Sequence, residues 1–217
     1  MGSATPLIWS AVIPVKVLAL AKSRLAGLAD ADREALALAM AADTVRAAVA
    51  STAIGAVTVV SDDPDVKAVA EAAGAGVIAD LPGAGLNQAL TAGARHAAAR
   101  WPDRGLAALT ADLPALSADE LTAALVLASG FDQAFVADAA GSGTTLYTAR
   151  PGAPFRPRFG QRSRLRHRRA GATELDLPGI PGLRRDVDTL ADLHAAAEIG
   201  LSSRTMAARE SIRQLPG

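Results

Sequence analysis

The first half of the chain carries three uninterrupted apolar stretches, at 7–17, 56–61 and 105–110. Because polar and apolar positions do not alternate in them, each stretch is typical of a strand that is buried on both faces. Between and after these strands, apolar positions recur at helical spacing, and glycine follows two of the helical segments as a stop signal. The predicted helices are 32–50, 64–73, 86–100 and 117–129.

The second half of the chain is less regular. A strand is predicted at 131–138, and the glycine-rich turn 141–144 follows it and leads into a further short strand. After a loop rich in proline and arginine, 183–188 is predicted as a late strand, with a helix at 189–199 behind it. The tail after Gly200 is weakly patterned, and we expect it to be mobile.

Alternating strands and helices predict an α/β fold, a mostly parallel sheet flanked by helices as in Rossmann-like domains. The chain has 217 residues, of which 50% are hydrophobic, and this is enough to bury the core of one domain. We therefore expect a single domain over 1–217 with its core at about 7–200. Ligands of such sheets gather outside the carboxyl ends of the strands.

Composition excludes several classes of protein. The chain has no cysteine, which excludes disulfides, thiolate metal sites and thiol nucleophiles and fits a reducing cytoplasm. The apolar run at 7–20 is broken by Pro14 and Lys16 and is shorter than the roughly 20 residues that cross a bilayer. We therefore predict a cytoplasmic protein without a signal peptide or a membrane span. The three histidines show no metal-ligand spacing, and no serine lies in a nucleophile-elbow pattern.

The charges balance overall but are unevenly placed. The chain has 22 basic and 22 acidic residues, yet no carboxylate occurs between Ala139 and Thr173. Eight arginines share that interval: Arg150, Arg156, Arg158, Arg162, Arg164, Arg166, Arg168 and Arg169. This region is expected to face anions. An RNA-binding stripe is a weaker interpretation, because few aromatic residues and no known RNA-binding pattern accompany the arginines.

Asp112 follows the strand predicted at 105–110, and Pro114 then turns the chain away from the sheet. A carboxylate at the end of a central strand is well placed to hold a hard cation. Magnesium that bridges nucleotide phosphates needs only one or two protein carboxylates, since water and phosphate oxygens complete its octahedron. The alternative is that Asp112 caps the helix that begins near Ser117.

Asp186 and Asp188 flank Val187 on the predicted late strand. Alternate residues of a strand point to the same face, so both carboxylates would converge there while Val187 packs inward. Two acids on one face favour a cation. The alternative is that Asp188 caps the following helix while Asp186 pairs with Arg184 or Arg185.

Cationic and amide side chains offer contacts to a polyphosphate. Lys16 interrupts an apolar strand, where a charge is costly unless it reaches a cleft, and Lys22 and Arg24 follow it. Asn87 stands at a predicted helix start after a glycine loop. These four residues are candidate nucleotide contacts, with solvated surface charges as the alternative for the cations.

Two loops combine glycine with a hydroxyl residue, as anion-binding loops do. They are Gly141-Ser142-Gly143-Thr144 and Phe159-Gly160-Gln161-Arg162-Ser163. They are candidates for holding a phosphorylated acceptor.

Read in order, the motifs resemble one known family, the phosphoenolpyruvate or 2-phospho-L-lactate guanylyltransferases of deazaflavin (coenzyme F-420) biosynthesis. The resemblance runs from about Val12 to about Ile199. The motifs are VIPVK at 12–16, AKSRL at 21–25, LN at 86–87, DLP at 112–114, GT at 143–144, RFGQRS at 158–163, HRR at 167–169 and DVDT at 186–189.

The resemblance implies a nucleotidyltransferase fold similar to that of the molybdenum-cofactor guanylyltransferases, with GTP as co-substrate and Mg²⁺ as cofactor. It implies that Thr144, Gly160 and Ser163 bind phosphoenolpyruvate. It also implies that the acids Asp112, Asp186 and Asp188 bind the metal, with Lys16 and Asp112 as catalytic residues. The product would be handed to the next enzyme of the pathway, and neither nucleic acid nor membrane is implied as a partner.

Two positions depart from the family pattern. Arg162 stands where relatives often carry an acid, and Arg164 where a small residue is usual, so acceptor affinity or preference is expected to shift. Three other functions remain as alternatives. They are nucleotidyl transfer to another phosphorylated acceptor such as a molybdopterin or sugar phosphate, metal-dependent glycosyl transfer, and RNA binding without catalysis.

Overall fold

A computed structural model describes residues 6–18, 25, 28–80, 83 and 85–214. Its seven strands are β1 (Trp9–Pro14), β2 (Ile54–Val60), β3 (Gly76–Ile78), β4 (Gly105–Leu109), β5 (Gln133–Ala137), β6 (Thr144–Ala149) and β7 (Thr173–Glu174). Its helices are α1 (Asp30–Ala50), α2 (Pro64–Ala72), α3 (Leu86–Arg100), α4 (Ala118–Ala128), α5 (Ser163–Arg169), α6 (Pro181–Arg184), α7 (Leu190–Ile199) and α8 (Ser203–Gln214).

The strands form one sheet in the order β3-β2-β1-β4-β6-β5-β7. Strands β1 to β4 pair in parallel, β5 pairs in parallel with β7, and β6 is antiparallel to both β4 and β5. Strand β5 therefore runs in the same direction as β4. The carboxyl ends of β1, β4 and β5 and the amino end of β6 consequently share one edge of the sheet, and the predicted α/β fold with a mostly parallel sheet is confirmed.

Apolar layers cover both faces of the sheet. Alternate residues of β1 divide between them: Ile13 packs with residues of α1 and α4 on one face, and Val12 packs with residues of α3 on the other. Both side chains are fully buried. The uninterrupted apolar sequence of β1 follows from this burial on two sides. Within the described ranges, no helix has the length and apolar character that crossing a bilayer requires.

The late strand predicted at 183–188 is wrong. Pro181 opens the short helix α6, which ends at Arg184, and the chain from 185 to 189 has no regular structure. Sheet pairing decides this outcome, because β4 already pairs with β1 and β6 while β5 pairs with β6 and β7. The segment therefore has no free strand edge beside these strands to join.

The tail after Gly200, which the sequence predicts to be weakly patterned and mobile, contains a helix. Residues Ser203–Gln214 form α8, which packs against α1. The buried carboxylate of Asp43 on α1 accepts hydrogen bonds from the backbone N–H groups of Thr205 at 2.8 Å and Arg204 at 3.4 Å. A residue 162 positions earlier thus satisfies the start of α8, which explains why the local sequence carries no clear helix signal.

Candidate active site

Asp112 lies at the carboxyl edge of the sheet, three residues beyond the end of β4. The Thr44 hydroxyl accepts a hydrogen bond from Leu113 N at 3.1 Å, donates to the Met40 carbonyl at 2.9 Å and lies 3.2 Å from the Ala111 carbonyl. The two peptide groups that flank Asp112 are therefore held by a residue of α1. The helix-cap alternative is wrong, because Ser117 caps α4 in a capping box with Glu120.

The segment 184–188 runs along the same edge from the end of β5 to the end of β4. At one end, Ala139 N donates to the Arg184 carbonyl at 2.7 Å, and the Arg184 guanidinium donates to the carbonyls of Ala137 and Asp138 at 3.2 Å. At the other end, Val187 N donates to the Asp112 carbonyl at 3.1 Å. Although the segment is not a strand, Val187 is fully buried between the half-buried Asp186 and Asp188, as predicted.

Two of the alternative interactions for these acids, the Asp188 cap and the Asp186–Arg184 pair, do not hold. Thr189, not Asp188, caps α7, in a capping box with Asp192. The Arg184 guanidinium is directed to backbone carbonyls instead of to Asp186. Hydrogen bonds from Thr189 and from Asp188 N lower the pKa of Asp192 although burial opposes them, so Asp192 is the carboxylate of this cap and Asp188 joins the cap through its backbone N–H at 3.3 Å.

Four carboxylates influence one another at this edge. Burial is the largest cause that raises the pKa of Asp186, and the negative charges of Asp112, Asp138 and Asp188 add to it. Together they raise the pKa to about 7. We call Asp112, Asp138, Asp186 and Asp188 the acid edge. Burial of Asp186 and the nearby like charges both disfavour its ionised form, and its raised pKa reflects the two costs together.

Asp138 is the member of the acid edge that sequence reasoning missed. It follows β5 directly, and its carboxylate accepts hydrogen bonds at 2.8 Å from Ser142 N and Gly143 N. A Cβ on Gly143 would collide with this carboxylate, so only glycine fits there. The signal was present in the sequence, since Asp138 ends an apolar strand as Asp112 does.

The donor set of the acid edge fits a divalent cation. Carboxylate oxygens are the ligands that magnesium prefers, and a bound dication would relieve the repulsion that raises the pKa of Asp186. Within the part of the chain that the structure describes, no three Asp, Glu or His side chains enclose a metal site by themselves. Magnesium bound through one or two carboxylates, water and phosphate oxygens does not need such an enclosure.

The predicted acceptor residues lie in two loops that the structure brings together. Thr144 begins β6 at the carboxyl edge of β4 and β5, while Gly160 and Ser163 lead into α5. Arg164 N donates to the Ser142 carbonyl at 3.2 Å, and Ser163 N donates to the Gly160 carbonyl at 3.0 Å. Gly160 has a φ of +109°, which a residue with a Cβ rarely adopts.

The candidate nucleotide contacts are placed differently from one another. Lys16 is exposed two residues after β1, on the same edge as Asp112. The side-chain amide of Asn87 bonds to the loop 159–163, which we call the acceptor loop. It donates to the Phe159 carbonyl at 3.0 Å and accepts from Phe159 N at 2.8 Å. Lys22 and Arg24 lie outside the described residues.

We call residues 150–169 the arginine segment. Arg164 donates to both oxygens of Glu174 at 2.9 and 3.0 Å and to the Gly141 carbonyl at 3.0 Å, and Arg166 donates to the Phe159 carbonyl at 3.0 Å. Arg162 adopts a left-handed conformation with a φ of 53°, a strained state for a residue other than glycine. The two arginines that depart from the family pattern therefore shape the turn between Gly160 and α5.

Comparison with known proteins gives one consistent family. The model of the family described as "Guanylyl transferase CofC like" matches residues 9–178. A phosphoenolpyruvate guanylyltransferase from Thermomonospora curvata is 54% identical over 93% of this chain and 88% of its own length.

Solved structures show the same fold at low sequence identity. A protein from Desulfovibrio desulfuricans G20, provisionally named a nucleotide-diphospho-sugar transferase, matches with a TM-score of 0.71 at 19% identity over 95% of this chain and 97% of that chain. A Mycobacterium tuberculosis H37Rv protein in complex with manganese matches with a TM-score of 0.52 at 19% identity, over 88% of this chain and 98% of that chain.

Proposed function

We propose that this chain, which belongs to the CofC-like guanylyl transferase family, joins GMP from GTP to phosphoenolpyruvate and releases pyrophosphate. The product is enolpyruvoyl-2-diphospho-5'-guanosine, a precursor of coenzyme F-420, and the reaction takes place in the cytoplasm. The observation that supports the proposal is the arrangement of this sheet edge, where Asp112 follows β4, Asp138 follows β5, Thr144 begins β6, and Val187 N, between Asp186 and Asp188, bonds to the Asp112 carbonyl. The name of the 54% identical relative, a phosphoenolpyruvate guanylyltransferase, supports guanylyl transfer to this acceptor.

We assign Mg²⁺ to Asp112, Asp186 and Asp188. When bound there with GTP, the ion supplies positive charge to the α-phosphate and to the departing pyrophosphate. The manganese-bound structural relative supports a divalent cation as the class of cofactor. Asp138 acts beside these acids by fixing the turn at Ser142 and Gly143.

The reaction needs no protein nucleophile. A phosphate oxygen of the acceptor attacks the α-phosphorus of GTP in line, the new P–O bond closes a diphosphate, and the bond to the β-phosphate oxygen breaks with its electron pair on pyrophosphate. The acceptor phosphate is largely ionised near neutral pH, so the main obstacle is bringing two polyanions together. The chain's task is therefore to bind and orient anions.

Each anion has candidate donors. Lys16, with Lys22 and Arg24, holds the phosphates of GTP as cationic hydrogen-bond donors. Thr144, Gly160 and Ser163 hold the acceptor. Asn87 supports the acceptor loop through Phe159, which makes it a nucleotide contact only through rearrangement of that loop.

The proposal is tested by incubating the protein and MgCl₂ with each of the four ribonucleoside triphosphates and each acceptor. The acceptors are phosphoenolpyruvate, 2-phospho-L-lactate, a sugar 1-phosphate and no acceptor. Pyrophosphate release and product mass are measured. We expect release with GTP and phosphoenolpyruvate, and a product of the mass of the diphosphate-linked conjugate. Release with the sugar phosphate alone would instead show a different nucleotidyltransferase, and transfer from a nucleotide sugar without pyrophosphate would show a glycosyltransferase.

A further inference from the structure

His167 is a fully buried titratable group that the proposed reaction does not use. It lies on α5, one helical turn after Ser163. Its ring stacks on Tyr147, with centroids 4.8 Å apart and an interplanar angle of 18°, and it lies 5.5 Å from the rings of Phe135 and Phe159. This aromatic surround fixes the plane of the imidazole.

One hydrogen bond determines which ring nitrogen of His167 carries the proton. Arg158 N donates to His167 Nε2 at 2.8 Å, so Nε2 is an acceptor and the ring is neutral with its proton on Nδ1. Burial and the charges of Arg166 and Arg158 lower the pKa of His167 to about 4, which agrees with a neutral ring. A hydrogen bond between this ring and the backbone of Ser163 acts in the opposite direction and raises the pKa, but burial and the two arginines outweigh it.

The protonated Nδ1 lies 3.0 Å from the hydroxyl oxygen of Thr144. Because Nδ1 carries the proton, the hydroxyl must accept in this contact and cannot donate to His167. The proton of the Thr144 hydroxyl is therefore left to point elsewhere. An anionic oxygen bound beside Thr144, at the start of β6, would form the strongest hydrogen bond with this proton, because hydrogen bonds to charged groups are stronger than those to neutral groups.

His167 also joins all three predicted acceptor residues. It contacts Thr144 directly, and it lies on α5 with Ser163. It also contacts Arg158 N and the Phe159 ring, which directly precede Gly160 in the chain. Thr144 lies 16 positions before Gly160 and 19 before Ser163, and one side chain contacts both parts of the chain.

We propose that His167 is a positioning residue that makes the Thr144 hydroxyl an obligate donor to the anionic acceptor and holds the two acceptor loops in register. The inference rests on the proposed function, because it takes Thr144 to contact the acceptor. A histidine that only fills the core would have no effect specific to the acceptor.

The first test is kinetic. It uses His167→Phe, which keeps an aromatic ring but removes the ring's hydrogen bonds. The other variants are Thr144→Val, Thr144→Ser and the double variant His167→Phe/Thr144→Val. His167→Phe and Thr144→Val should each raise KM for phosphoenolpyruvate about 10- to 100-fold while KM for GTP changes less than about twofold. Thr144→Ser should restore most of the affinity. The double variant should be hardly worse than either single one, because both remove the same contact. His96→Gln, at an exposed histidine of α3, is the matched control and should leave both KM values unchanged.

Equal losses for both substrates, or additive effects in the double variant, would overturn the inference. A wild-type protein that releases no pyrophosphate from GTP and phosphoenolpyruvate would instead remove the proposed function and the inference with it. An active wild type with an unchanged KM in a folded His167→Phe variant removes the inference alone. Circular dichroism shows whether the variants fold.

The second test needs no variant and keeps the inference falsifiable if His167→Phe does not fold. The ring nitrogens of His167 are observed by NMR in the ¹⁵N-labelled wild-type protein at pH 7. We expect the neutral tautomer with its proton on Nδ1. A proton on Nε2 with Nδ1 unprotonated would show that Thr144 is not forced to donate, and a charged ring would show that Nε2 does not accept from Arg158 N. Either result would overturn the inference whatever the acceptor is.

Discussion

The acid edge and the arginine segment are oppositely charged regions that use their charges differently. Arg164 and Arg166 are bound to Glu174 and to the carbonyls of Gly141 and Phe159, so these guanidinium groups serve the fold. On the acid edge, by contrast, burial and the neighbouring carboxylates together raise the pKa of Asp186. A region that satisfies its own charges is a scaffold, whereas a region that accumulates like charges at a cost is explained by a ligand of the opposite charge.

The largest effect is expected from Asp112→Asn. It removes one charge from the acid edge with little change in shape, and kcat should fall on the order of a hundredfold or more, as when a preorganised charge-stabilising group is lost. Steady-state pyrophosphate release measures it. Asp103→Asn is the control, because this exposed acid lies at the opposite end of β4. Nearly full turnover by Asp112→Asn would show that the acid edge is not the catalytic region.

The second prediction concerns the pH dependence of stability without metal. The folded protein holds the Asp186 proton up to a pKa of about 7, against 3.8 ordinarily, so the folded state binds more protons than the unfolded state between these values. The Asp186 contribution to stability should therefore fall as pH rises from about 4 to about 7, by about 2 kcal/mol once solvent screening is allowed for. His167, whose pKa is lowered to about 4, contributes in the opposite direction over part of this range, so the effect is measured as the difference between the wild type and Asp186→Asn. Urea unfolding in EDTA measures this.

Two comparisons sharpen that measurement. Asp186→Asn should lose this pH dependence, and magnesium should stabilise the wild type at pH 8 more than it stabilises the variant. If the stability of the wild type and of Asp186→Asn changed equally between pH 5 and pH 8 without metal, the pKa of Asp186 would not be raised as described.

A smaller effect is expected from Asp138→Asn, because its carboxylate both belongs to the acid edge and holds Ser142 N and Gly143 N. The amide keeps one acceptor oxygen but turns N–H groups toward a donor, so one of the two bonds is lost. KM for phosphoenolpyruvate should rise about tenfold, with kcat affected less than in Asp112→Asn. Asp132→Asn, exposed before β5, serves as the control. A collapse of kcat equal to that of Asp112→Asn would make Asp138 a metal ligand.

The smallest effect should come from the arginine segment. Arg164→Gln and Glu174→Gln each remove the same partly exposed ion pair, so each should lower the free energy of unfolding by at most about 1 kcal/mol, with little further loss in the double variant. Thermal unfolding measures this, and KM for the acceptor is followed in parallel. A large rise in that KM for Arg164→Gln alone would show that this arginine binds the acceptor, and the contrast with the acid edge would fail.

Helices with local start signals were predicted closely from the sequence. Helix α2 begins at Pro64, with Asp63 as its cap, and α4 begins directly after its cap Ser117, where the predicted range 117–129 starts. Asp63 accepts from Asp65 N and Val66 N, two residues that follow it directly. Signals of this kind lie within one turn of the boundary, so they can be read without knowing the rest of the molecule.

Non-local contacts account for what the sequence did not reveal. The segment 184–188 carries a strand-like pattern but finds no free strand edge, and α8 begins on a carboxylate from α1. Asn87 looked like a nucleotide contact, yet its amide bonds to Phe159, 72 residues away. Local pattern fixes which residues are apolar or capable of hydrogen bonding, but not which partner they meet.

By itself, the sequence determined the apolar strands, their order with the helices, and the position of Asp112 after a strand. Buried strands and strand ends can be recognised because each depends on the types of consecutive residues. Only the tertiary structure decided that Asp138 joins Asp112, Asp186 and Asp188, and that His167 governs the hydroxyl of Thr144. The physical reason is sheet order: β6 enters antiparallel between β4 and β5, and this brings loops far apart in sequence to the same edge.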